Sequence, residues 1–210
     1  AATFEGMLAD GKPTPRLIEF HRRIAAGGTG LTTLAYCAPE PDGRLKAAYM
    51  HMHEGIRAEL QELANTVHTA GGKLSGQIAH CGGFSQNRSL ERRRPVSASS
   101  YFNQLGALSG VVFTGAMDRG EMDAVASSYG QAAAFMKSVG FDALELHLGH
   151  GYLLSQFINP KTNRRTDEYG GSVANRMRFP LRVLEETRKA VGADFPILAK
   201  ITMFDEVEGG

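Results

Sequence analysis

Two histidines and a tyrosine, His147, His150 and Tyr152, lie together in the stretch HLGHGY. The stretch directly follows ALEL, an apolar run typical of a strand. Past the end of a strand, a short turn can bring side chains three positions apart to one place. Two imidazole donors beside a phenol suit polarisation of a carbonyl oxygen and protonation of the adjacent carbon. The residues alone leave a catalytic, a metal-binding and a structural role of the histidine pair equally open.

The composition bounds the class of protein. With 210 residues the chain can form a single domain with a sizeable core, and we expect one domain over 1–210. The net charge of +1 gives no reason to expect a nucleic-acid or anionic-membrane partner. Cys37 and Cys81 lack metal-ligand spacing, so we expect no metal site and no disulfide framework. No apolar run approaches the ~20 residues of a membrane span and no signal peptide opens the chain, so we expect a cytoplasmic protein.

Strand and helix patterns alternate along the chain. The predicted helices cover 15–26, 55–70, 121–139 and 172–191, the last with Ser172 as N-cap, and the predicted strands cover 30–36, 73–80, 143–147 and 196–203. Residues 81–116 form an excursion rich in Ser, Gly and Arg, with room for a small hairpin. The alternation predicts a parallel sheet, either open and doubly wound or closed into a barrel.

The position of the polar residues favours the barrel. No G-x-G-x-x-G follows any predicted strand, which disfavours a dinucleotide-binding fold. In (βα)8 barrels the active site is built at the carboxyl ends of the strands. The residues predicted at or near such ends are Gln77, His80, His147, His150 and Lys200.

A long segment carries a family resemblance. Residues 140–179 read GFDALELHLGHGYLLSQFINPKTNRRTDEYGGSVANRMRF, with H-x-x-H, G-Y-L, N-x-R-T-D-E-Y-G-G-S and N-R-x-R-F in succession. This segment resembles the Old Yellow Enzyme family of FMN-dependent NADH:flavin oxidoreductases and ene-reductases. The opening DGKPTPRLIEFHRRIAAGG and the run GGKLSGQIAH add weaker similarity. The resemblance covers essentially the whole chain.

The resemblance implies an enzyme that passes hydride from NAD(P)H through FMN to an electron-poor, enone-type alkene. By similarity, His147 and His150 hold the substrate carbonyl and Tyr152 donates the proton to the α-carbon. The implied partners are small molecules, and a homo-oligomer stays open. The alternatives are a flavin-free barrel hydrolase or lyase, since fold does not fix function, and a non-catalytic fragment that acts as a binding subunit.

The resemblance also implies which residues contact the cofactor. Gln77 matches the side chain at the flavin pyrimidine edge, and Thr3 matches the position that hydrogen-bonds flavin O4. Lys200 stands where most members carry Arg, near flavin N1 and the C2 carbonyl, and would act there as a point charge. The set also includes two neighbours of Thr3 and one residue after the second strand, where members usually offer a backbone contact. These are Ala1, Ala2 and Tyr36.

The strand count predicts an incomplete barrel. An N-terminal remnant and the four predicted strands make roughly five of the eight strands of a (βα)8 barrel. The strands that would contact the FMN phosphate are not among them, so no phosphate contact is assigned.

Several charged groups are expected to be structural. We expect a surface location for His21, His51, His53 and His68, and a solvated face for Arg92, Arg93 and Arg94. We expect Glu145 on the other face of its strand or in a buried pair. We expect a network that fixes the loop after the HLGHGY stretch, formed by Arg164, Arg165, Asp167, Glu168 and Arg176.

Overall fold

The fold is described from a computed structural model, which describes residues 6–209. The strands are β1 (Leu8–Ala9), β2 (Lys12–Pro13), β3 (Leu31–Cys37), β4 (Lys73–Ile78), β5 (Val96–Ser97), β6 (Gly115–Ala116), β7 (Ala143–Leu148) and β8 (Ile197–Ile201). The helices are α1 (Pro15–Ala26), α2 (Arg57–Thr69), α3 (Gln104–Ala107), α4 (Arg119–Ser138), α5 (Leu153–Ile158) and α6 (Val173–Val191). None of the described helices combines the length and apolarity needed to cross a bilayer.

One parallel sheet organises the chain. Its strand order is β3-β4-β7-β8, and every neighbouring pair runs parallel. Long helices join these strands, which is the βα pattern of a barrel wall. The prediction of a partial (βα)8 barrel is confirmed for these four strands, whereas the expected N-terminal remnant falls in residues 1–5, outside the described residues.

The helix boundaries follow from their capping residues. The hydroxyl of Thr14 accepts a hydrogen bond from the backbone N–H of Leu17 at the start of α1. Pro15 suits the first position of the helix, because it has no backbone N–H that would need a partner there. Asp118 and Glu121 form a reciprocal capping box at the start of α4. Ser172 caps α6 by accepting the N–H of Asn175, as predicted.

Apolar side chains pack between the sheet and its helices. Leu144 and Leu146 of β7 are buried in one continuous core with residues of α2, α4 and α6. Gly76 permits this packing, because a Cβ there would lie 1.9 Å from the Met136 side chain. The prediction of a surface location for His21 is wrong: this side chain is 1% exposed, and its Nδ1 pairs with the Thr32 hydroxyl at 2.8 Å.

The excursion differs from the small hairpin for which the sequence left room. Its two short strands, β5 and β6, pair in parallel, and Phe102 and Phe113 form only an isolated antiparallel bridge. Between them the chain makes the single turn of α3. The Asn103 amide ties this turn to the carbonyl of Ser85 at 2.8 Å, so side-chain hydrogen bonds replace a regular ladder.

Side chains on both faces of the last strand are exposed. Leu198 is 40% exposed and Ile201 is 51% exposed, although both belong to an apolar strand of a parallel sheet. Strands of a parallel sheet are normally buried on both faces. The exposed apolar side chains of β8 are therefore typical of a strand that other elements cover.

Candidate active site

The three residues of the HLGHGY stretch converge just past the end of β7. The Nε2 atom of His147 lies 3.1 Å from the Nδ1 atom of His150. The ring of Tyr152 lies 5.3 Å from the ring of His147, in an edge-to-face arrangement. The sequence prediction that these side chains share one place is therefore met in the fold.

A tight turn produces this convergence. His150 and Gly151 both adopt left-handed backbone conformations, with φ of 55° and 70°. Gly151 also allows the ring of Phe84 to approach, because a Cβ there would lie 2.6 Å from that ring. Tyr152 then caps α5, whose first backbone N–H, from Leu153, donates to the carbonyl of His80 at 2.9 Å. The loop after β4 thus anchors the loop after β7.

Burial sets the protonation of the site. It lowers the pKa of His147 to about 4, with further lowering by the charges of His150 and Lys200. His147 is therefore neutral at pH 7 and carries a proton on one ring nitrogen. A backbone contact with Lys200 acts in the opposite direction on this pKa, and the buried Nδ1 makes no hydrogen bond of normal geometry to residues 6–209. Burial raises the pKa of Tyr152, so the phenol keeps its proton.

Polar side chains line the sheet face next to this site. In the strand register Gln77 pairs with Glu145, and His147 pairs with Lys200. Glu145 and His147 are two residues apart, so all four lie on the same face of the sheet. The Gln77 amide donates to the Glu145 carboxylate at 2.5 Å. Of the two expectations for Glu145, the paired one is correct: Glu145 pairs with Gln77 and lies on the same face of the strand as His147, not on the opposite face.

The remaining cofactor predictions have different outcomes. Ala1, Ala2 and Thr3 lie outside the described residues, so their predicted contacts stay predictions. Tyr36 is buried, and its ring lies 5.8 Å from the ring of Tyr152. Its hydroxyl accepts the backbone N–H of Leu45. The predicted contact of Tyr36 was through its backbone; the aromatic contact of its ring with Tyr152 depends on the fold and is not visible in the order of residues along the chain.

A buried charged cluster that the sequence did not predict lies behind the site. His80 is 1% exposed, and its Nε2 lies 3.1 Å from a Glu40 carboxylate oxygen. Arg92 also donates to Glu40, so the expectation that this arginine lies on a solvated face is wrong. Burial alone would raise the pKa of Glu40, but His80 and Arg92 outweigh it and lower that pKa to about 2. The sequence indicated only one member of this cluster, His80, through its position near the end of a predicted strand.

The residues of the predicted network hold the loop that follows the site. Arg165 pairs with Asp167 at 2.6 Å and donates to the carbonyls of Ala98 and Met117. Arg176 donates to three backbone carbonyls, and Glu168 pairs with Arg119. Arg164 ties the loop without an ion pair: its backbone N–H donates to the Ser99 hydroxyl at 2.9 Å, and its Nε donates to the Lys161 carbonyl at 3.2 Å.

The metal-binding alternative finds no support in the arrangement of side chains. Within residues 6–209, no group of three or more His, Cys, Asp or Glu side chains could hold a metal ion. The ring of Tyr152 instead packs on His147, and the rings of Tyr36 and Phe84 in turn contact Tyr152. Such surroundings suit a flat organic ligand.

Comparison with known proteins identifies the family. The chain is 38% identical to 4,4'-dithiodibutanoate disulfide reductase of Rhodococcus erythropolis, over 100% of this chain and 51% of that protein. It is 36% identical to an NADH oxidase of Thermoanaerobacter brockii, over 96% of this chain and 31% of that protein. The chain thus spans about half the length, or less, of these relatives.

The fold comparison agrees. The crystal structure of Old Yellow Enzyme from Pichia sp. AKU4542 superimposes with a TM-score of 0.83 at 26% identity, covering 91% of this chain and 52% of that one. A model of the NADH:flavin oxidoreductase / NADH oxidase family matches residues 1–210. The sequence resemblance is therefore confirmed, and the chain belongs to the NADH:flavin oxidoreductase / NADH oxidase family.

Proposed function

We propose that this chain carries the substrate-activating site of an FMN-dependent oxidoreductase, which passes hydride from NAD(P)H to an electron-poor, enone-type alkene. The observation that carries the proposal is the cluster of His147, His150 and Tyr152 beside a polar sheet face, in a member of a flavin oxidoreductase family. Family membership supports the coenzymes, and the geometry supports the roles of the side chains.

The residues on the polar sheet face fit an isoalloxazine ring. Gln77 offers amide hydrogen-bonding capacity, Lys200 offers positive charge, and the buried Nδ1 of His147 makes no hydrogen bond of normal geometry to the described residues. These are the groups that would hold the pyrimidine edge of the ring and balance negative charge there. FMN, when bound, supplies the hydride that it has received from NAD(P)H. Thr3, Ala1, Ala2 and Tyr36 stay proposed contacts.

His147 and His150 would hold the carbonyl oxygen of the substrate. In the structure the two rings contact each other, and one nitrogen donates to the other. A carbonyl oxygen that replaces this contact can accept an N–H from each ring. His147 is neutral at pH 7, so it contributes a dipole instead of a full charge. Donors fixed before the reaction stabilise the negative charge that develops on the oxygen.

Tyr152 would donate the proton to the α-carbon. Its raised pKa keeps the phenol protonated throughout the neutral range. The edge-to-face packing on His147 and the ring contacts with Tyr36 and Phe84 restrict the Tyr152 ring, which orients its hydroxyl. Proton donation by a positioned side chain commonly contributes ~10²–10⁴ in rate.

Cofactor binding is the first test. Titration of the protein with FMN should give a stoichiometric yellow complex, with a shifted flavin spectrum. A protein that neither quenches nor shifts added flavin would contradict the proposal. That outcome would favour a flavin-free barrel hydrolase or lyase, or a non-catalytic binding subunit.

The histidine pair is tested by separating the two half-reactions. In the double variant His147→Ala/His150→Ala we expect flavin reduction by NAD(P)H to persist. We expect alkene reduction to fall by at least ~10²–10³, the usual loss for a single oxyanion donor. Stopped-flow absorbance measures both steps.

A second histidine pair provides a matched control. His51 and His53 stack on each other with ring centroids 4.3 Å apart. His51→Ala/His53→Ala should leave both half-reactions of the folded protein intact. Unchanged alkene reduction in the His147/His150 variant would show that the pair does not hold the carbonyl.

A further inference from the structure

A second cavity lies beside the candidate active site, between the excursion and the loop after α5. Its volume of about 550 Å³ falls in the range of ~300–1,000 Å³ that is usual for small-molecule sites. Phe84, Tyr101, Phe102 and Leu105 form its apolar lining. None of the residues predicted from the sequence to act on the substrate lines this cavity.

Two cations stand at the same cavity, both on the segment that follows α5. Lys161 and Arg164 are exposed, and neither forms an ion pair with a carboxylate in the described part of the chain. Arg164 uses only its Nε, which donates to the Lys161 carbonyl at 3.2 Å. Its two terminal nitrogens have no acceptor within residues 6–209. They form the planar fork that suits a carboxylate.

Uncharged polar groups add to this end of the cavity. The exposed side-chain amide of Gln104 also lines the cavity. The hydroxyl of Thr162 donates its proton to the carbonyl of Gln156 at 2.8 Å, so towards the cavity this hydroxyl can only accept hydrogen bonds. The cavity thus combines apolar walls with cationic and neutral donors, and no described carboxylate lines it.

One ring separates the cavity from the proposed proton donor. Phe84 lines the cavity, and the same ring lies 6.4 Å from the ring of Tyr152. Phe84 also packs against Gly151 in the turn that carries His150. A molecule whose carbonyl sits at the histidine pair could therefore extend past Phe84 into the cavity.

We propose that this cavity is a subsite for the remote carboxylate of the substrate, so that the preferred substrates are electron-poor alkenes with an aromatic or alkyl body and an acid group at the far end. Arg164 and Lys161 bind the carboxylate, and Phe84, Phe102 and Leu105 pack on the body. The proposal rests on the proposed function, because it assigns the substrate class of the same site.

The test compares an acid with its neutral ester. The probes are 4-(3-oxobut-1-enyl)benzoate, whose carboxylate lies across the ring from the enone, and the methyl ester of the same compound. In the FMN-loaded protein, Lys161→Gln/Arg164→Gln should raise KM for the acid by ~10–100-fold, the usual range for losing hydrogen bonds to a charged group. KM for the ester should stay within about twofold, as expected when no charge pair is lost. Equilibrium dialysis of the acid should give the same ratio in Kd.

Arg178→Gln is the matched control, because it removes an exposed arginine of α6 that does not line the cavity. It should change neither probe. Equal shifts for acid and ester, or none, would overturn the subsite. So would weaker reduction by NADPH but not NADH with an unchanged acid KM, since the cavity would then bind the coenzyme phosphate.

The two proposals fail in different ways. If the unsubstituted protein reduces neither probe, the proposed function falls, while dialysis of the acid still tests the cavity. If both probes are reduced equally well by the double variant and the unsubstituted protein, the function stands and the subsite falls.

Discussion

Two buried histidines follow neighbouring strands of the sheet and have different surroundings. His80 comes after β4, and both of its ring nitrogens have partners: Nδ1 accepts the Gly82 N–H at 2.9 Å, and Nε2 lies 3.1 Å from Glu40. His147 is the penultimate residue of β7; its Nε2 contacts the ring of His150, and its Nδ1 makes no hydrogen bond of normal geometry to residues 6–209. The side chains are 1% and 2% exposed, so burial does not distinguish them.

The difference lies in how completely each ring is hydrogen-bonded. Buried polar groups normally have partners, and a ring with both nitrogens bonded holds its loop in place. His80 accordingly sits among Glu40, Gly82 and the α5 backbone. A buried nitrogen without a hydrogen bond of normal geometry in the described chain retains capacity for a ligand. We therefore propose that the loop after β4 anchors the site and that the residues at the carboxyl end of β7 carry the chemistry.

A tyrosine accompanies each histidine, and their hydroxyls give the largest expected contrast. Tyr129 accepts the backbone N–H of His80 at 3.1 Å, whereas Tyr152 packs against the ring of His147. We expect Tyr152→Phe to lower the rate of alkene reduction by ~10²–10⁴, the usual contribution of a general acid. Flavin reduction and the melting temperature should change little. Stopped-flow kinetics and thermal unfolding measure these effects.

Tyr129→Phe is the matched control, because it removes the same atom from the anchoring region. It leaves the buried N–H of His80 without its acceptor, which costs about 1–3 kcal/mol of unfolding free energy. Alkene reduction should persist in the folded variant. If Tyr129→Phe instead lowered alkene reduction as much as Tyr152→Phe, the division between the two loops would be wrong.

The anchoring role of the loop after β4 predicts a loss of stability when its charge pair is broken. Glu40→Ala leaves Arg92, whose side chain is 24% exposed, and the buried ring of His80 without their carboxylate. Removing one partner of a buried pair costs ~3–5 kcal/mol, and the partial exposure of Arg92 favours the lower end, about 3 kcal/mol. Urea unfolding measures this loss.

The same variant should keep its chemistry. At a temperature where Glu40→Ala is folded, we expect alkene reduction within about tenfold of the unsubstituted protein, because the carboxylate acts through packing of the loop. A stable variant with abolished alkene reduction would place Glu40 in the chemistry and would remove the contrast.

Local patterns were sufficient to predict the main elements. The helix predicted over 15–26 is α1 to the residue, and the four predicted strands match β3, β4, β7 and β8 within a few residues. These elements combine strong periodicity with clear capping signals such as Thr14 and Ser172. The excursion lacked both signals. Its shape depends on single hydrogen bonds such as that of Asn103 with Ser85, which no pattern encodes.

The site was predictable to the extent that its residues are neighbours in sequence. His147, His150 and Tyr152 converge through one turn, so spacing was enough. Glu40 contacts both His80 and Arg92, which are 40 and 52 residues away from it in the sequence, so only the fold brings these three together. The burial of His21 likewise depends on Thr32 of the neighbouring strand.

The smallest expected effect is a change in the pH dependence of stability. The pKa of His147 is lowered from 6.5 to about 4 in the folded protein, so between these values the unfolded chain binds a proton that the folded chain does not. The contribution of His147 is complete above pH 6.5 and is lost as the pH falls toward 4. His147→Gln should remove about one proton from the uptake on unfolding, and stability should fall less steeply between pH 7 and pH 5.

His21→Gln tests whether this titration is specific to the site. Burial lowers the pKa of His21 to about 4 as well, so its replacement should flatten the same pH range. His21 lies in α1 and pairs with Thr32, remote from the HLGHGY turn, so this variant should keep alkene reduction, whereas His147→Gln should lose most of it. Urea unfolding at both pH values, with kinetics at pH 7, separates the two. An unchanged pH slope in His147→Gln would mean that the ring is not held neutral by burial, and the proposed dipolar role of His147 would then be wrong.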